Sequence, residues 1–517
     1  MKKVLCAMIG ILMLVLTFSM ASCSGQETNN NQNESVSESE YEQTNGVETM
    51  PDKEDMPYKP IQVNTTFTDN MVLQRNKKVR IFGYGGNPGE TVRVKFHDKT
   101  YKGYIEKDGW EVWLDSMEAD KNGKELEVIH RGKTVTFRNV VVGEVWLCGG
   151  QSNMAVTVQY IYNKDKNVRT EYSEYENWDS IRVYNRSYKT SEVPVIDSVI
   201  QDKWQMVSNF QGVCNSSASA VAFALNLAHM LGDDVPIGVL NCSVGGSPIE
   251  GWISREGMSE LRSYFEDQNS IYYHGMLYNL LGYSFGGFFW YQGCANAQPH
   301  MSLYYRDQFE VMLQELRLAT GDEKLPTVVM QLVQFEDWCP WHQIRQVQWE
   351  LMELENVYTV CGIDLGVNIT PYSEASKQDG IHPTDKWMVG KRAAGVVASE
   401  ILKIDPPQDG NPYGVSPTLD KAVWKDGAVR VSISGAKSVS QSKDVLGGFE
   451  VYIDNKWVKA EAALEGSEVV LTVEEMHSKP FKIRYLQCNV VPDEVSFLYN
   501  EYGLPVAPAR YVAVTEG

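Results

Sequence analysis

The chain has 517 residues, of which 43% are hydrophobic and 11% aromatic. This length is more than one compact core supports, so we expect a globular protein of two or three domains. The formal net charge is -20 at pH 7, and no run of Lys and Arg stands out, which argues against nucleic acid as a partner. A neutral or weakly charged substrate is easier to accommodate, whereas an anionic one would need a local basic patch.

The N-terminus is typical of an export signal. Two lysines precede an apolar run over 4–18 that is too short for a stable membrane span. Residues 20–23, Met-Ala-Ser-Cys, resemble a bacterial lipobox, although the usual first residue is Leu; an ordinary cleaved secretory signal is the alternative. We therefore predict a lipoprotein signal peptide over 1–23, with Cys23 lipidated. The mature protein would be extracytoplasmic and membrane-anchored, at the cell surface or in the periplasm.

Two kinds of segment follow the signal. Residues 24–58 are rich in Asn, Gln, Ser and Glu with little apolar content, so they are predicted to be a disordered polar linker. Residues 59–142 contain short alternating stretches separated by Gly, Asn and Asp, which predicts an N-terminal β-domain. Similar strand patterns return over 410–512 and predict a C-terminal β-domain.

The central part of the chain, 143–405, has a different pattern. Apolar strand-like runs such as VPIGVLNCS and TVVMQLVQF alternate with amphipathic stretches such as SASAVAFALNLAHML. This alternation favours β-α-β units, with a largely parallel sheet flanked by helices. We interpret this segment as an α/β catalytic domain.

Four loops that follow strand-like runs, or precede a helical one, carry residues with catalytic chemistry. They read GGQSNM, NCSVGGSP, QGCANA and DGIHPT. Glycines after a strand can expose a serine at the sheet edge, and glycine N–H groups or an Asn amide can stabilise an oxyanion. An Asp three residues before a His can orient its ring. Each loop alone is a weak indication, since turns, loop caps and surface histidines have the same composition.

Together, and in this order, the four blocks resemble those of the SGNH hydrolase superfamily. Further stretches are similar to the sialate O-acetylesterase branch, among them FTDNMVLQRNKKVRIFGYGGNPGETVRV, VPIGVLNCSVGGSPIEGW, YYHGMLYNL, IHPTDKWMVGKRAA and YNEYGLPVAPAR. The resemblance covers nearly everything after the linker. It implies a flavodoxin-like, three-layer α/β catalytic domain with flanking all-β domains, and a serine esterase that removes O-acetyl groups from carbohydrate without a metal or organic cofactor.

The resemblance also implies roles for particular residues. Ser152 would be the nucleophile, His382 its base and Asp379 the triad acid. The oxyanion hole would be formed by the Ser152 N–H, an N–H of Gly245 or Gly246, and the Asn296 side chain.

Two departures from the family pattern leave alternatives open. The family commonly has QGESN where this chain has QGCAN at 292–296, so an acidic residue often found beside the site is missing. This branch often reads D-I-H-P, whereas Gly380 stands between Asp379 and Ile381. A Ser-His dyad aided by a backbone carbonyl, or another acid such as Asp364, is the alternative to Asp379.

The substrate and the class of function also have alternatives. Relatives with these motifs act on acetylated sialic acids or on acetylated xylan and xyloglucan. A non-catalytic, glycan-binding surface lipoprotein is the rival hypothesis, favoured by Cys294 and Ala295 in the third block. A metal site is not expected, because the histidines lack ligand spacing.

Overall fold

The structure is a computed structural model. The described residues are 58–107, 109–165, 171–172, 178–196, 202–232, 234–335, 339–365, 380–407, 410–474 and 478–517. The predicted signal peptide, Cys23, the linker up to residue 57, and Asp379 lie outside them. The chain divides into two units, Met1–Pro60 and Ile61–Gly517, and the second is described below. No helix among the described residues has the length and apolar character needed to cross a membrane.

The N-terminal region is built of β-strands whose side chains alternate between core and solvent. In the strand Trp110–Leu114, Trp110, Val112 and Leu114 are buried while Glu111 and Trp113 are exposed, which is the period-two pattern of a half-buried strand. The strands are β1 (Ile61–Val63), β2 (Val72–Gln74), β3 (Val79–Gly85), β4 (Thr91–Phe96), β5 (Lys99–Tyr104), β6 (Trp110–Leu114), β7 (Asp120–His130) and β8 (Lys133–Gly150).

Strand β8 belongs to two sheet regions at once. Its first part pairs antiparallel with β7, up to the Asp120 to Val142 pair. Its last part, from Glu144 to Gly150, lies in the central sheet, parallel to Ile237–Ser243. The domain boundary predicted at 142/143 therefore falls inside one continuous strand, and the hydrophobic core is shared across it.

The central sheet is parallel apart from one edge strand. Its order is β10-β9-β11-β8-β12-β13-β14, and β10 is antiparallel to β9. Strands such as β12 are buried at every position, as expected for a sheet covered on both faces. The added strands are β9 (Ile181–Asn185), β10 (Trp204–Met206), β11 (Ile237–Ser243), β12 (Gly287–Tyr291), β13 (Thr327–Met330) and β14 (Val357–Val360).

Helices cover both faces of this sheet. The α-helices are α1 (Ser152–Ala155), α2 (Val158–Lys164), α3 (Phe210–Val213), α4 (Ala218–Leu231), α5 (Arg255–Met258), α6 (Ser302–Thr320), α7 (Trp341–Glu350) and α8 (Lys386–Val396). In β12, Phe289 packs against Phe223 of α4 with ring centroids 5.3 Å apart. The next residue, Trp290, donates from its indole nitrogen to Tyr305 Oη of α6 over 3.1 Å. Successive strand residues point to opposite faces, so α4 and α6 lie on opposite sides.

The C-terminal region is again β-rich and has a second apolar core. That core includes Phe449, Val451 and Tyr485 together with Cys361 and Ile363, which follow β14. The strands are β15 (Thr418–Lys425), β16 (Ala428–Ser434), β17 (Val439–Gln441), β18 (Val445–Leu446), β19 (Phe449–Ile453), β20 (Lys456–Lys459), β21 (Glu461–Glu465), β22 (Glu468–Thr472), β23 (Lys482–Tyr485), β24 (Val495–Ser496), β25 (Leu498–Asn500) and β26 (Ala509–Glu516). A mixed α/β protein with flanking β-rich regions, as predicted, is thus confirmed.

One carboxyl group in this fold is deeply buried. Glu315 of α6 is 6% exposed and accepts hydrogen bonds from the Ser254 backbone N–H, over 2.9 Å, and from the Ser254 hydroxyl. Burial raises the pKa of Glu315 from 4.5 to about 7. A folded-state pKa above the unfolded value means a contribution to stability that is complete below about pH 4.5 and is lost as the pH rises through about 7.

We predict that Glu315→Gln removes this pH dependence, because the amide keeps the volume and hydrogen-bonding capacity without the charge. The difference in free energy of unfolding, variant minus wild type, should rise by about 3 kcal/mol between pH 4 and pH 8. Urea unfolding across that range measures it, and Asp307→Asn on the exposed side of the same helix is the control. Parallel stability curves for the wild type and Glu315→Gln would contradict the assignment.

Candidate active site

Ser152 lies where β8 leaves the central sheet. The last strand residue, Gly150, has a φ of +143°, and a Cβ there would lie 2.2 Å from the Tyr291 carbonyl oxygen of β12. The Gln151 N–H donates to that same oxygen over 3.1 Å. Ser152 then begins helix α1, so its N–H points out of the helix without an intrahelical partner. Only glycine allows the two strand ends to approach so closely before the chain turns.

The structure brings His382 to Ser152 across 230 residues of sequence. His382 Nε2 lies 2.8 Å from Ser152 Oγ. His382 stands just before α8, whose N-terminus is capped by the Asp385 carboxylate accepting from the Met388 N–H over 2.9 Å. Both Ser152 and His382 are partly exposed, so a substrate can reach the pair.

The glycines of the second block lie beside this pair. The Val244 N–H donates to the Gly150 carbonyl over 3.0 Å, which ties the end of β11 to the end of β8. A Cβ at Gly245 would lie 3.9 Å from Ser152 Cβ. Gly246 follows with a φ of +74°, a left-handed turn that favours glycine. The predicted neighbourhood of Gly245 and Ser152 is therefore observed.

The third block contacts the nucleophile turn through a residue that the sequence analysis missed. Gln151 is buried, and its Oε1 accepts from the N–H groups of Gly293, over 3.1 Å, and Ala295, over 3.2 Å. The indication in the sequence was a polar residue between a strand-ending glycine pair and a candidate serine. Gln151 therefore links the turn that carries Ser152 to the loop that follows β12.

Asn296 of the third block is fully buried. Its Nδ2 donates to Glu250 Oε2 over 2.8 Å, and its Oδ1 accepts from the Ile249 N–H and from Gln292 Nε2. Among the described residues, no hydrogen bond joins Asn296 to Ser152. These contacts use one of the two amide hydrogens of Asn296. Glu250, itself buried in the SPIEGW stretch, was not anticipated.

The alternative triad acid is engaged elsewhere. Both carboxylate oxygens of Asp364 accept from the Arg392 guanidinium at 2.7 Å, and Tyr499 Oη donates to Asp364 over 3.1 Å. This ion pair is buried and joins the end of β14 to α8 and to the C-terminal region. The Asp364 carboxylate therefore connects these three parts of the chain through Arg392 and Tyr499. Asp379 lies outside the described residues.

A buried lysine adjoins the site, and the sequence analysis did not single it out. Lys386, the first residue of α8, is fully buried; its Nζ donates to Asn153 Oδ1 and lies 5.0 Å from the centroid of the Tyr291 ring. Burial lowers the pKa of Lys386 to about 7. Where the structure is described, no group of three or more His, Cys, Asp or Glu side chains is placed to hold a metal ion.

Comparison with known proteins connects this site to a family. The family model for carbohydrate esterase, sialic acid-specific acetylesterase, matches residues 142–380. Sialate O-acetylesterases of Pongo abelii and Homo sapiens are each 27% identical over 370 residues, covering 63% of this chain and 68% of those proteins. The crystal structure of a carbohydrate acetylesterase from Xanthomonas citri has a TM-score of 0.73 and 25% identity, over 87% of this chain and 99% of that one.

The fold, the Ser-His pair and these relatives together define a carboxylic ester hydrolase. The chain is sialate O-acetylesterase-like, and its residues 142–380 match the carbohydrate esterase family model. The resemblance identified from the motifs is thereby confirmed.

Proposed function

We propose that this enzyme hydrolyses O-acetyl esters on carbohydrates, with Ser152 as nucleophile and His382 as general base. The observation that supports the residue roles is the 2.8 Å hydrogen bond between His382 Nε2 and Ser152 Oγ. Both side chains are partly exposed, and Gly245 lies next to Ser152. A serine hydroxyl is a weak nucleophile until such a base accepts its proton.

The reaction would proceed by two acyl transfers. His382 Nε2 takes the Ser152 proton as Oγ attacks the acetyl carbonyl carbon, which gives a tetrahedral oxyanion. The C–O bond to the sugar breaks, the sugar oxygen receives the proton from His382, and acetyl-Ser152 remains. Water, deprotonated by His382, then attacks this ester, and acetate leaves as the proton returns to Ser152.

The oxyanion would be stabilised by N–H donors around Ser152. The first is the N–H of Ser152 itself, which begins α1, and the second comes from Gly245 or Gly246. The second amide hydrogen of Asn296 would be the third donor, held by the bond to Glu250. Preorganised donors of this kind are worth about 10²–10³-fold each in turnover.

The strand order supports assignment to the SGNH superfamily. With β9 set aside as an addition, β11-β8-β12-β13-β14 reads 2-1-3-4-5 in chain order, the order of flavodoxin-like sheets. The order reverses between β8 and β12, and ligands of such sheets bind beyond the strand ends at that point. Ser152 follows β8 there. We propose the three-layer catalytic domain at 143–405, with β-domains at 59–142 and 410–512.

The acetylated sugar has two candidates. Sialate O-acetylesterases among the relatives favour acetylated sialic acids, whereas the net charge of -20 favours neutral glycans such as xylan or xyloglucan. The assay below separates them.

We predict that Ser152→Ala abolishes acetate release, because the acetyl-enzyme cannot form, while the fold is retained since the hydroxyl contributes little to packing. Acetate would be measured with 4-nitrophenyl acetate, acetylated sialic acids, acetylated xylan and acetylated xyloglucan, with circular dichroism as the folding control. Turnover by Ser152→Ala within a few-fold of wild type would overturn the role of Ser152. A wild type that binds glycans without releasing acetate would instead favour a glycan-binding lipoprotein.

We further propose Asp379 as the triad acid, oriented towards His382 Nδ1. Asp379→Asn should lower kcat by up to about 10⁴-fold, because the amide permits the wrong imidazole tautomer. Asp364→Asn is the matched control: it breaks the buried pair with Arg392 and should destabilise the fold by about 3–5 kcal/mol. If Asp379 merely caps a turn, its variant should lose no more than about 2 kcal/mol of stability and keep its turnover.

We propose that Cys23 carries a lipid anchor that holds the enzyme outside the cytoplasm, with the O-acetylated glycan as its substrate. The lipobox-like residues 20–23 support this. Cys23→Ser should move the protein from the membrane fraction to the soluble fraction, because the anchor is then absent. Immunoblots of the two fractions measure this, and a wild type that is wholly soluble after export would rule the anchor out.

A further inference from the structure

The contacts around α8 suggest a role for a side chain outside the Ser-His pair. We infer that Lys386 is a positioning residue: through Asn153 it holds the turn that carries Ser152 against the loop that carries His382. This inference rests on the proposed function, since it concerns the geometry of the same pair.

Asn153 connects the two loops directly. It follows Ser152 in sequence, and its Nδ2 donates to the Ile381 carbonyl oxygen over 2.9 Å. Ile381 in turn precedes His382. A single side chain therefore joins the residue after the nucleophile to the residue before the base, beside the 2.8 Å bond between Ser152 and His382.

Lys386 fixes the orientation of that amide. An ammonium group can only donate, so the acceptor Oδ1 of Asn153 must face Lys386 Nζ. The amide nitrogen must then face the Ile381 carbonyl. The Ile381 carbonyl can only accept, so both partners require the same orientation of the amide. Without Lys386, the oxygen end of the Asn153 amide would lose its donor, and the amide would be held through its nitrogen end. The lysine thus holds the second end of the link.

The surroundings of Lys386 indicate that this side chain does more than fill space in the core. The side chain is fully buried, and the groups that face it are the Asn153 amide, the Tyr291 ring, the Cys294 thiol and the Asp385 carboxylate. Burial is the main cause that lowers its pKa to about 7. Burying an ammonium costs more stability than burying an apolar chain of the same length, so Lys386→Met need not destabilise the fold.

Steady-state kinetics of Lys386→Met, Asn153→Ala and the double variant test this role. Misplacing a reacting group by about 1 Å lowers turnover by about 10²-fold, so we expect each single variant to lose roughly that much in kcat, with KM for 4-nitrophenyl acetate nearly unchanged. Because Lys386 acts through Asn153, the double variant should lose no more than Asn153→Ala alone. Lys391→Met, on the same helix, is the matched control and should keep wild-type kinetics.

Two results would overturn the inference. One is a wild-type kcat in Lys386→Met or in Asn153→Ala; the latter measurement decides the matter if Lys386→Met fails to fold. The other is multiplication of the two single losses in the double variant, which would mean that the residues act independently.

Labelling with a fluorophosphonate separates this inference from the proposed function. The reagent phosphonylates an activated serine with loss of fluoride, and mass spectrometry follows its rate at Ser152. If the wild type labels at Ser152 without releasing acetate from any acetyl ester, and Lys386→Met labels more slowly, the positioning role stands and the proposed substrate class falls. If Ser152 does not react in the wild type, both fall.

Discussion

The active site depends on how closely two strand ends approach each other. At Gly150 the backbone of β8 passes so near the Tyr291 carbonyl of β12 that a Cβ would lie 2.2 Å from it, and the Gln151 N–H bonds to that carbonyl immediately afterwards. The chain turns out of the sheet there, and Ser152 follows Gln151 as the first residue of α1. Gln151 Oε1 then accepts from the loop after β12. One steric constraint thus sets both the position of the serine and the loop beside it.

Two networks of buried polar side chains adjoin the active site and hold its loops in place. On one side Glu250, Gln292 and Asn296 bond to one another, directly or through Asn296. On the other side Lys386 and Asn153 bond to each other. In a low-dielectric interior such bonds are strong, and breaking one leaves an unpaired group at high cost. Rigid surroundings of this kind let donors point at a developing charge without reorganising during the reaction.

The sequence predicted the parts of the site that depend on local backbone chemistry. Glycines after apolar strands and a His before a helix have recognisable neighbours, so Ser152, Gly245 and His382 could be found, and family order related them. Lys386 and Glu250 could not be found in this way. Their significance comes from burial and from partners such as Asn153 and Asn296, which are distant in sequence.

The strand regions followed from period-two patterns, but the expected division at 142/143 did not anticipate that β8 continues. Gly143 lies within this continuous strand and permits a close approach there, since a Cβ would lie 1.9 Å from the Pro236 carbonyl oxygen.

The continuity of β8 decides where this protein can be cut. A fragment beginning at 143 would retain the serine turn, but it would lose the residues of β8 that pair with β2 and β7. It would also lose Gln74, whose Oε1 accepts from the Val145 N–H over 2.8 Å. The remaining half-strand would keep its pairing with β11 and β12, but the Val145 N–H would lose this partner and apolar side chains of the shared core would be exposed to water. The N-terminal β-region is consequently not a detachable module, and shortened or chimeric versions of this esterase should keep residues 61–150 together.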